Sequence, residues 1–290
     1  MTRNGDLVQE LSFYFGTKRP REHPLYLHPR VPSPHAVEGR LGVLATRGDR
    51  NYYHFLMDVV PRLGVMASCP DIAPPSKWYV PTTSRFQREL LDLAGVPEWQ
   101  RVDSDTYPHV SADVLVVPTP PSMTVINPPW VVGWLRARLL IKAVSRVAGR
   151  GLYVTRGTGV NNRTVSNEEE VVSALVASGF QAIDPAVLSV SEQIRAFAEA
   201  SVVVAPHGAA LANLVFASPG AGVVELFPAG AVVPDYWKLA GGVPGLEYRY
   251  LTGSGRQRVA GRSKMLVRDI TVDVPELMRV VDGMLARRSE

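Results

Sequence analysis

The first stretch of the chain that could do chemistry is a helical segment carrying a histidine and an aspartate one turn apart. His54 and Asp58 are four positions apart, so a helix would place both side chains on one face. A carboxylate beside a histidine can serve as a general base, because its partner holds it in position. The alternative is an ion pair on a helix surface, which contributes little to stability. Taken alone, the spacing favours the surface pair.

The second stretch is the turn at residues 206–210 (Pro-His-Gly-Ala-Ala), which follows an apolar run at residues 202–205. A run without polar residues predicts a strand buried in a parallel sheet, and ligands bind beyond the carboxyl ends of such strands. Gly208 and Ala209 would let a phosphate approach the backbone N–H groups, and His207 would add a side-chain donor. The alternative is a tight turn whose glycine serves packing, and the short motif alone favours it.

Two arginines and a glutamate at the same predicted sheet edge strengthen the phosphate interpretation. Arg156 and Arg163 bracket the loop after the first strand of the second half. A guanidinium binds phosphate oxygens through two parallel hydrogen bonds, although a solvated loop with two ordinary arginines is the alternative. Glu225 ends a later strand, where its carboxylate could accept both hydroxyls of a ribose or pair with a nearby arginine. The residues leave both roles of Glu225 open.

The elements that must position these residues follow an alternation of strand and helix patterns. Strands are predicted at residues 41–45, 78–80, 114–117, 152–155, 180–183, 202–205 and 222–227, and helices at 52–66, 84–94, 130–147, 167–179, 189–198, 209–216 and 274–288. Pro61 should kink or split the helix at 52–66. This alternation favours right-handed crossovers and parallel, Rossmann-like sheets, hence the α/β class.

The chain is expected to divide into three parts. A glycine pair at positions 149 and 151 follows a long predicted helix and precedes a fresh strand, which predicts Rossmann-like domains at residues 1–148 and 149–273. Residues 274–290 form an amphipathic helix that either packs across both domains or touches a membrane. Five prolines between residues 19 and 39 predict an extended surface lead-in and exclude a helix or a central strand there.

Composition narrows the class of protein. The 290 residues carry a net charge of +4 with scattered basic residues, which argues against a nucleic-acid partner. The mild positive balance suits a phosphate-bearing ligand or an anionic membrane surface. Cys69 is the only cysteine, so neither an intramolecular disulfide nor a thiolate zinc cluster can form. Without a signal-peptide pattern or a membrane-spanning run, a soluble, cytoplasmic protein is expected.

Three motifs together resemble glycosyltransferase family 61, and their order and spacing over about residues 50–227 make the resemblance specific. The motif residues are Asn51-Tyr52-Tyr53-His54-Phe55 with Asp58 and Pro61-Arg62-Leu63, then Tyr153-Val154-Thr155-Arg156 with Arg163 and Asn167-Glu168, and finally His207-Gly208-Ala209-Ala210-Leu211-Ala212-Asn213 with Phe216, Pro219 and Val224-Glu225-Leu226. Thr155 departs slightly from the family pattern, where a serine is common.

The resemblance implies a GT-B architecture, in which two Rossmann-like domains face a central cleft. It also implies inversion at the anomeric carbon and a nucleotide-sugar donor, usually a UDP-sugar, held by the second domain. Asp58 is similar to the family's acceptor-activating base, with His54 beside it. The positions that match the family's donor-binding residues are Arg156, Arg163, His207, Gly208, Ala209 and Glu225.

The resemblance also sets expectations for cofactors and partners. The arginines would supply positive charge, so neither a metal nor another cofactor is expected. Asp103-Ser104-Asp105 matches the Asp-x-Asp pattern of a metal-binding triplet, but it is predicted to lie in a loop before a strand of the first half. The expected partners are a nucleotide-sugar donor and a glycan or lipid-linked saccharide acceptor in surface polysaccharide synthesis, with peripheral contact at the inner face of the membrane. A nucleotide-sugar epimerase and a non-catalytic nucleotide-sugar-binding protein are the alternatives.

Overall fold

The computed structural model describes residues 2, 6–8, 11, 23–27, 32–122, 127–140, 150–156, 164–254 and 269–289. The chain forms two compact units, Met1–Pro121 and Ser122–Glu290. Each unit contains a parallel sheet with helices between its strands. The predicted α/β class with two parallel sheets is therefore confirmed.

The first unit is built on a four-stranded parallel sheet in the order β3-β2-β1-β4. Its strands are β1 (His35–Val43), β2 (Lys77–Val80), β3 (Arg101–Asp103) and β4 (Val110–Val116), and its helices are α1 (Tyr52–His54), α2 (Arg62–Ala67) and α3 (Arg85–Ala94). Leu41 lies opposite Lys77 on one side and Leu115 on the other. Because β1 pairs with a strand on each side, it is an inner strand of the sheet. The loop leading to α1 starts at its carboxyl end.

The prediction of an extended surface lead-in is wrong in two places: Pro24–Leu27 form a short 3-10 helix, and residues 35–39 belong to β1. The prolines stop at Pro34, so every residue of β1 has a backbone N–H to donate, and β1 pairs with β4 from His35. The pairing shifts register between Val37 and Arg40. Gly39 lies in this irregular stretch with a φ of 78°, a left-handed conformation that glycine adopts readily.

The predicted helix at residues 52–66 is split, as Pro61 indicated. After α1, the segment Phe55–Val59 winds as a wider π turn, and α2 begins only after Pro61. The Asn51 side chain caps α1 by accepting a hydrogen bond from the Tyr53 N–H at 2.9 Å. Single π turns inside helices frequently mark functional sites, because they redirect side chains.

The second unit carries a five-stranded parallel sheet in the order β6-β5-β7-β8-β9. Its strands are β5 (Arg150–Val154), β6 (Phe180–Ile183), β7 (Ala200–Pro206), β8 (Gly222–Phe227) and β9 (Glu247–Thr252), and its helices are α4 (Pro129–Leu139), α5 (Glu168–Ala177), α6 (Val190–Glu199), α7 (Asp235–Ala240) and α8 (Val274–Ser289). All of β8 and all of β7 except half-buried Ser201 are buried, as the apolar runs predicted. The edge strand β9 and the short helix α7 were not predicted.

One helix differs from the sequence prediction. Residues Ala209–Phe216 form a 3-10 helix rather than an α-helix, so hydrogen bonds close tighter turns directly after the His207 turn. Before α5, the side-chain amide of Asn167 donates to the Glu170 carboxylate at 3.1 Å and to the Val272 carbonyl at 2.9 Å, and its side-chain carbonyl accepts from the Val272 N–H at 3.0 Å.

The division between the units falls between Pro121 and Ser122, whereas the sequence predicted it after residue 148. Helix α4 accounts for the difference. The Arg136 guanidinium donates to the carbonyls of Val215 at 2.6 Å and Ala217 at 2.8 Å, which fastens α4 to the 3-10 helix of the second unit.

The last helix, α8, packs on the second sheet. Leu277, Val281 and Met284 are buried in the same apolar core as the sheet residues. Arg287 and Arg288, near the end of α8, both pair with Glu247 of β9. Within the described ranges, no helix combines the length and the apolar character needed to cross a membrane.

Candidate functional site

The first group of candidate residues lies on the π turn and the helix before it. The Nδ1 atom of His54 lies 2.7 Å from Oδ2 of Asp58, as the four-residue spacing predicted. The side chains are 43% and 27% exposed, so both reach solvent. Gly48 lies against the imidazole, because a Cβ there would come within 3.2 Å of the His54 ring. The structure thus presents a carboxylate that is held by a histidine and still reaches solvent.

A third residue, Arg62, follows this pair in the chain. The sequence identified it only as part of the first motif and assigned it no role. Its side chain is buried, with 6% of the residue exposed, and its guanidinium donates to the Leu44 carbonyl at 3.2 Å. Burial lowers the pKa of Arg62, while the negative charges of Asp58 and Asp49 oppose that shift. Arginine remains cationic because its ordinary pKa is so high. Its place four residues after Asp58 is the signal that could have identified it.

The second group of candidate residues is centred on His207, directly after β7. The Nδ1 atom of His207 lies 2.5 Å from Oε1 of Glu225, and the Tyr248 hydroxyl donates to the other carboxylate oxygen, also at 2.5 Å. Glu225 is fully buried. Burial raises the pKa of Glu225, and its bonds with His207 and Tyr248 partly offset that shift. Burial and the neighbouring carboxylate also raise the pKa of Tyr248, which keeps the phenol protonated as a donor.

Aromatic rings hold the imidazole of His207 from other sides. The ring of Phe227 stacks on it at a centroid distance of 5.2 Å, and Tyr236 lies tilted at 5.5 Å. The backbone N–H of His207 donates to the Leu226 carbonyl at 2.8 Å. The ring and its backbone are therefore fixed, which suits a group that must meet a ligand in one orientation.

Arg156 follows β5 and lies against the turn after His207. A Cβ built on Gly208 would come within 3.0 Å of Nη2 of Arg156. Gly208 has a φ of 177°, an extended conformation open to any residue, and the guanidinium end of Arg156 lies directly against it. The predicted neighbours Arg156, His207 and Gly208 are therefore together, and Ala209 opens the 3-10 helix beside them. Arg163 lies outside the described residues.

The sequence left two roles open for Glu225, contact with ribose hydroxyls and pairing with an arginine, and the described residues show neither. Both carboxylate oxygens bond protein groups and none of the residue is exposed. The carboxylate instead orients His207. Tyr248, which completes this arrangement, was missed because β9 (Glu-Tyr-Arg-Tyr-Leu-Thr) mixes charged and aromatic residues and has no fully buried position, which gives a weak strand signal.

The two aspartates of the triplet that resembled a metal motif bond to protein groups. Asp103 accepts from the Thr82 N–H at 3.0 Å and from the Thr106 hydroxyl at 2.6 Å, while Asp105 pairs with Arg50 at 2.6 Å. In the parts of the chain that the structure describes, no group of three or more His, Cys, Asp or Glu residues is arranged to hold a metal ion.

Comparison with known proteins places these residues in a family. Residues 52–224 match the family described as Glycosyltransferase 61, a stretch that includes His54, Asp58, Arg156 and His207. Curated relatives are named protein O-linked-mannose β-1,4-N-acetylglucosaminyltransferase 2. The Canis lupus familiaris protein is 36% identical over 107 residues, covering 34% of this chain and 18% of the relative. The Mus musculus protein is 34% identical over 131 residues, covering 43% and 20%.

The alignments therefore span about a fifth of the length of these curated relatives. Among solved structures, the ADP-heptose lipopolysaccharide heptosyltransferase II of E. coli is similar, with 9% identity and a TM-score of 0.39 over 87% of this chain and 99% of that one. The family match covers more than half of the chain and includes residues of both candidate groups. This chain belongs to glycosyltransferase family 61.

Proposed function

We propose that this chain is an inverting glycosyltransferase that moves a sugar from a nucleotide-sugar, with a UDP-sugar as the expected donor, to a hydroxyl of a glycan. The observation that carries the proposal is the fixed cationic site of the second unit, where Arg156 packs on Gly208 beside the oriented imidazole of His207. It stands at the carboxyl ends of parallel strands, where ligands of such sheets bind.

The second unit would bind the donor diphosphate. A guanidinium offers two parallel hydrogen bonds to phosphate oxygens. The imidazole of His207, held through Nδ1 by its contact with Glu225, would lie against the same phosphate group. Arg163, from the same loop as Arg156, is proposed to join them. Negative charge builds on the nucleoside diphosphate as its bond to the sugar breaks, and fixed cationic donors stabilise that charge.

The first unit would activate the acceptor. The carboxylate of Asp58 takes the proton of the acceptor hydroxyl while that oxygen forms the new bond to the anomeric carbon. The bond from that carbon to the diphosphate breaks on the opposite face, so the configuration inverts. His54 holds the carboxylate in place through its 2.7 Å contact, and the buried guanidinium of Arg62 interacts electrostatically with the same carboxylate.

The names of the curated relatives suggest which donor to test first. They describe transfer of N-acetylglucosamine, so a nucleotide-activated N-acetylglucosamine leads the panel. We further propose that the reaction serves surface polysaccharide synthesis in the cytoplasm, with a lipid-linked saccharide reached at the inner face of the membrane as acceptor. The positive side chains would replace a metal ion, so transfer should proceed at an unchanged rate in EDTA.

A thermal-shift panel of nucleotides and nucleotide-sugars tests the donor site. A ligand that binds only the folded protein raises its unfolding temperature. We expect a shift with at least one nucleoside diphosphate or its sugar, and a smaller shift with the same ligand in the Arg156→Ala variant. The absence of a shift with every UDP and GDP compound would contradict the donor site.

A further inference from the structure

A cavity of about 470 Å³ opens on the second unit between α7 and the edge strand β9. Its described lining is Val232, Val233, Pro234, Trp237, Tyr248, Arg249 and Tyr250. This volume is typical of a pocket for one small organic ligand. Apart from Arg249, the lining is apolar or aromatic.

The aromatic walls of this cavity are unusually open to solvent. Trp237 is 58% exposed and Tyr250 is 51% exposed, and Val232 of the same cavity is also exposed. Exposed apolar side chains that cluster in one concave surface are typical of a binding site, whereas singly scattered ones are common on any protein surface. Two exposed aromatic rings in one pocket fit a flat, aromatic ligand.

The cavity is connected to the His207 site through shared side chains. Tyr248 lines the cavity, and its hydroxyl donates a hydrogen bond to Glu225, the carboxylate that orients His207. Tyr250 packs edge-on against Phe227, with ring centroids 6.1 Å apart, and Phe227 in turn stacks on His207. A ligand with a planar ring at one end and phosphates a few bonds away could therefore occupy both places.

We propose that this aromatic cavity binds the nucleobase of the donor, with Trp237 and Tyr250 as the stacking residues. The inference rests on the proposed function, because the diphosphate attached to that base is assigned to Arg156 and His207. Stacking recognises the face of a base and tolerates its identity. The cavity thus supplies affinity for a nucleoside diphosphate that inorganic pyrophosphate, which lacks a base, cannot gain.

Isothermal titration of the full chain with UDP, GDP and inorganic pyrophosphate tests this assignment. Removing one stacking ring should weaken nucleotide binding between about 5-fold and about 100-fold. We expect that loss for the better-bound nucleotide in Trp237→Ala and in Tyr250→Ala, with pyrophosphate affinity unchanged. Trp237→Phe, which keeps a stacking ring, should retain most of the nucleotide affinity.

The control is Trp99→Ala, which removes a tryptophan that is 70% exposed in the first unit. It should bind as the wild type does, and unchanged unfolding temperatures should show that the variants are folded. Wild-type nucleotide affinity in both Trp237→Ala and Tyr250→Ala would overturn the cavity assignment and leave the proposed function standing. Absence of nucleotide binding by the wild type would overturn both. Parallel loss of pyrophosphate binding would show that the rings act on the diphosphate site, which also contradicts the assignment.

Discussion

Each unit of this chain holds a histidine paired through Nδ1 with a carboxylate, and the two pairs differ mainly in burial. The His54–Asp58 pair is 2.7 Å apart with both side chains reaching solvent, while the His207–Glu225 pair is 2.5 Å apart with a fully buried carboxylate. An exposed pair contributes about 0–1 kcal/mol to stability. Losing one partner of a buried pair costs about 3–5 kcal/mol, because the other is left without compensation.

The difference separates two functions of the same chemical pairing. An acceptor must reach a general base, so a base needs exposure and tolerates a weak partner. A group that holds a diphosphate must keep one orientation, so rigid burial of its support is an advantage. The exposed carboxylate therefore suits reaction, and the buried one suits positioning.

The largest expected effect is on stability at the buried pair. Glu225→Ala should lower the free energy of unfolding by about 3–5 kcal/mol, because His207 and Tyr248 lose the carboxylate that both bond. Chemical denaturation followed by circular dichroism measures it. Asp58→Ala is the matched variant at the exposed pair and should cost at most about 1 kcal/mol. Equal losses in the two variants would remove the distinction between the pairs.

The next effect is on transfer at the cationic site. Arg156→Ala should lower kcat by about 100- to 1000-fold, as removal of one fixed donor to a developing charge does, and should also weaken nucleoside diphosphate binding. Steady-state release of the diphosphate and isothermal titration measure the two effects. Arg40→Ala, at an exposed arginine of β1, is the control. An Arg156→Ala variant with wild-type kcat would place the diphosphate elsewhere.

The sequence could predict hydrogen-bonded contacts in this site only between residues that lie close together in the chain. His54 and Asp58 lie within one helical turn, so their contact followed from spacing. Glu225 stands 18 residues from His207 and 23 from Tyr248, and those contacts depend on the pairing of β7, β8 and β9. The strand pattern predicted the first two of these strands, but the register and the half-exposed third strand carry no comparable local signal.

The fold shows the same dependence on long-range contacts. The buried runs of β7 and β8 and the break at Pro61 were predicted, because apolar periodicity and proline chemistry act locally. The strand at His35 and the grouping of α4 with the second unit were not, since they depend on β4 and on the carbonyls that Arg136 reaches. Burial of Arg62 is likewise a property of packing around it.

A smaller effect on stability is expected at Arg62, the buried arginine that follows the exposed His54–Asp58 pair. Arg62→Met should lower the free energy of unfolding by about 1–3 kcal/mol, because the buried Leu44 carbonyl loses its side-chain donor. Urea unfolding measures the loss, with Arg40→Met as the control for removing a positive charge. A loss no larger than that of the control would show that Arg62 does not fasten this loop.

The smallest effect is a pH dependence that belongs to the buried pair alone. Because the pKa of Glu225 is raised above its ordinary value of 4.5, the folded protein keeps a proton that the unfolded chain releases. Stability relative to Glu225→Gln should therefore be greatest below pH 4.5 and decline as the pH rises through the raised pKa. Denaturation of both proteins across this range measures it. A relative stability that grows with pH would reverse the assigned direction.

The proposed transfer reaction is tested most directly by Asp58→Asn, measured for transfer and for nucleotide binding in parallel. The donor is the nucleotide-sugar that gives the largest thermal shift, and released nucleoside diphosphate reports transfer to the acceptor. Loss of a general base should lower kcat by about 100- to 10,000-fold, while the nucleotide Kd stays at the wild-type value because the donor residues are untouched. Transfer at the wild-type rate would contradict Asp58 as the base, and nucleotide binding without transfer by the wild type would favour a binding protein or an epimerase.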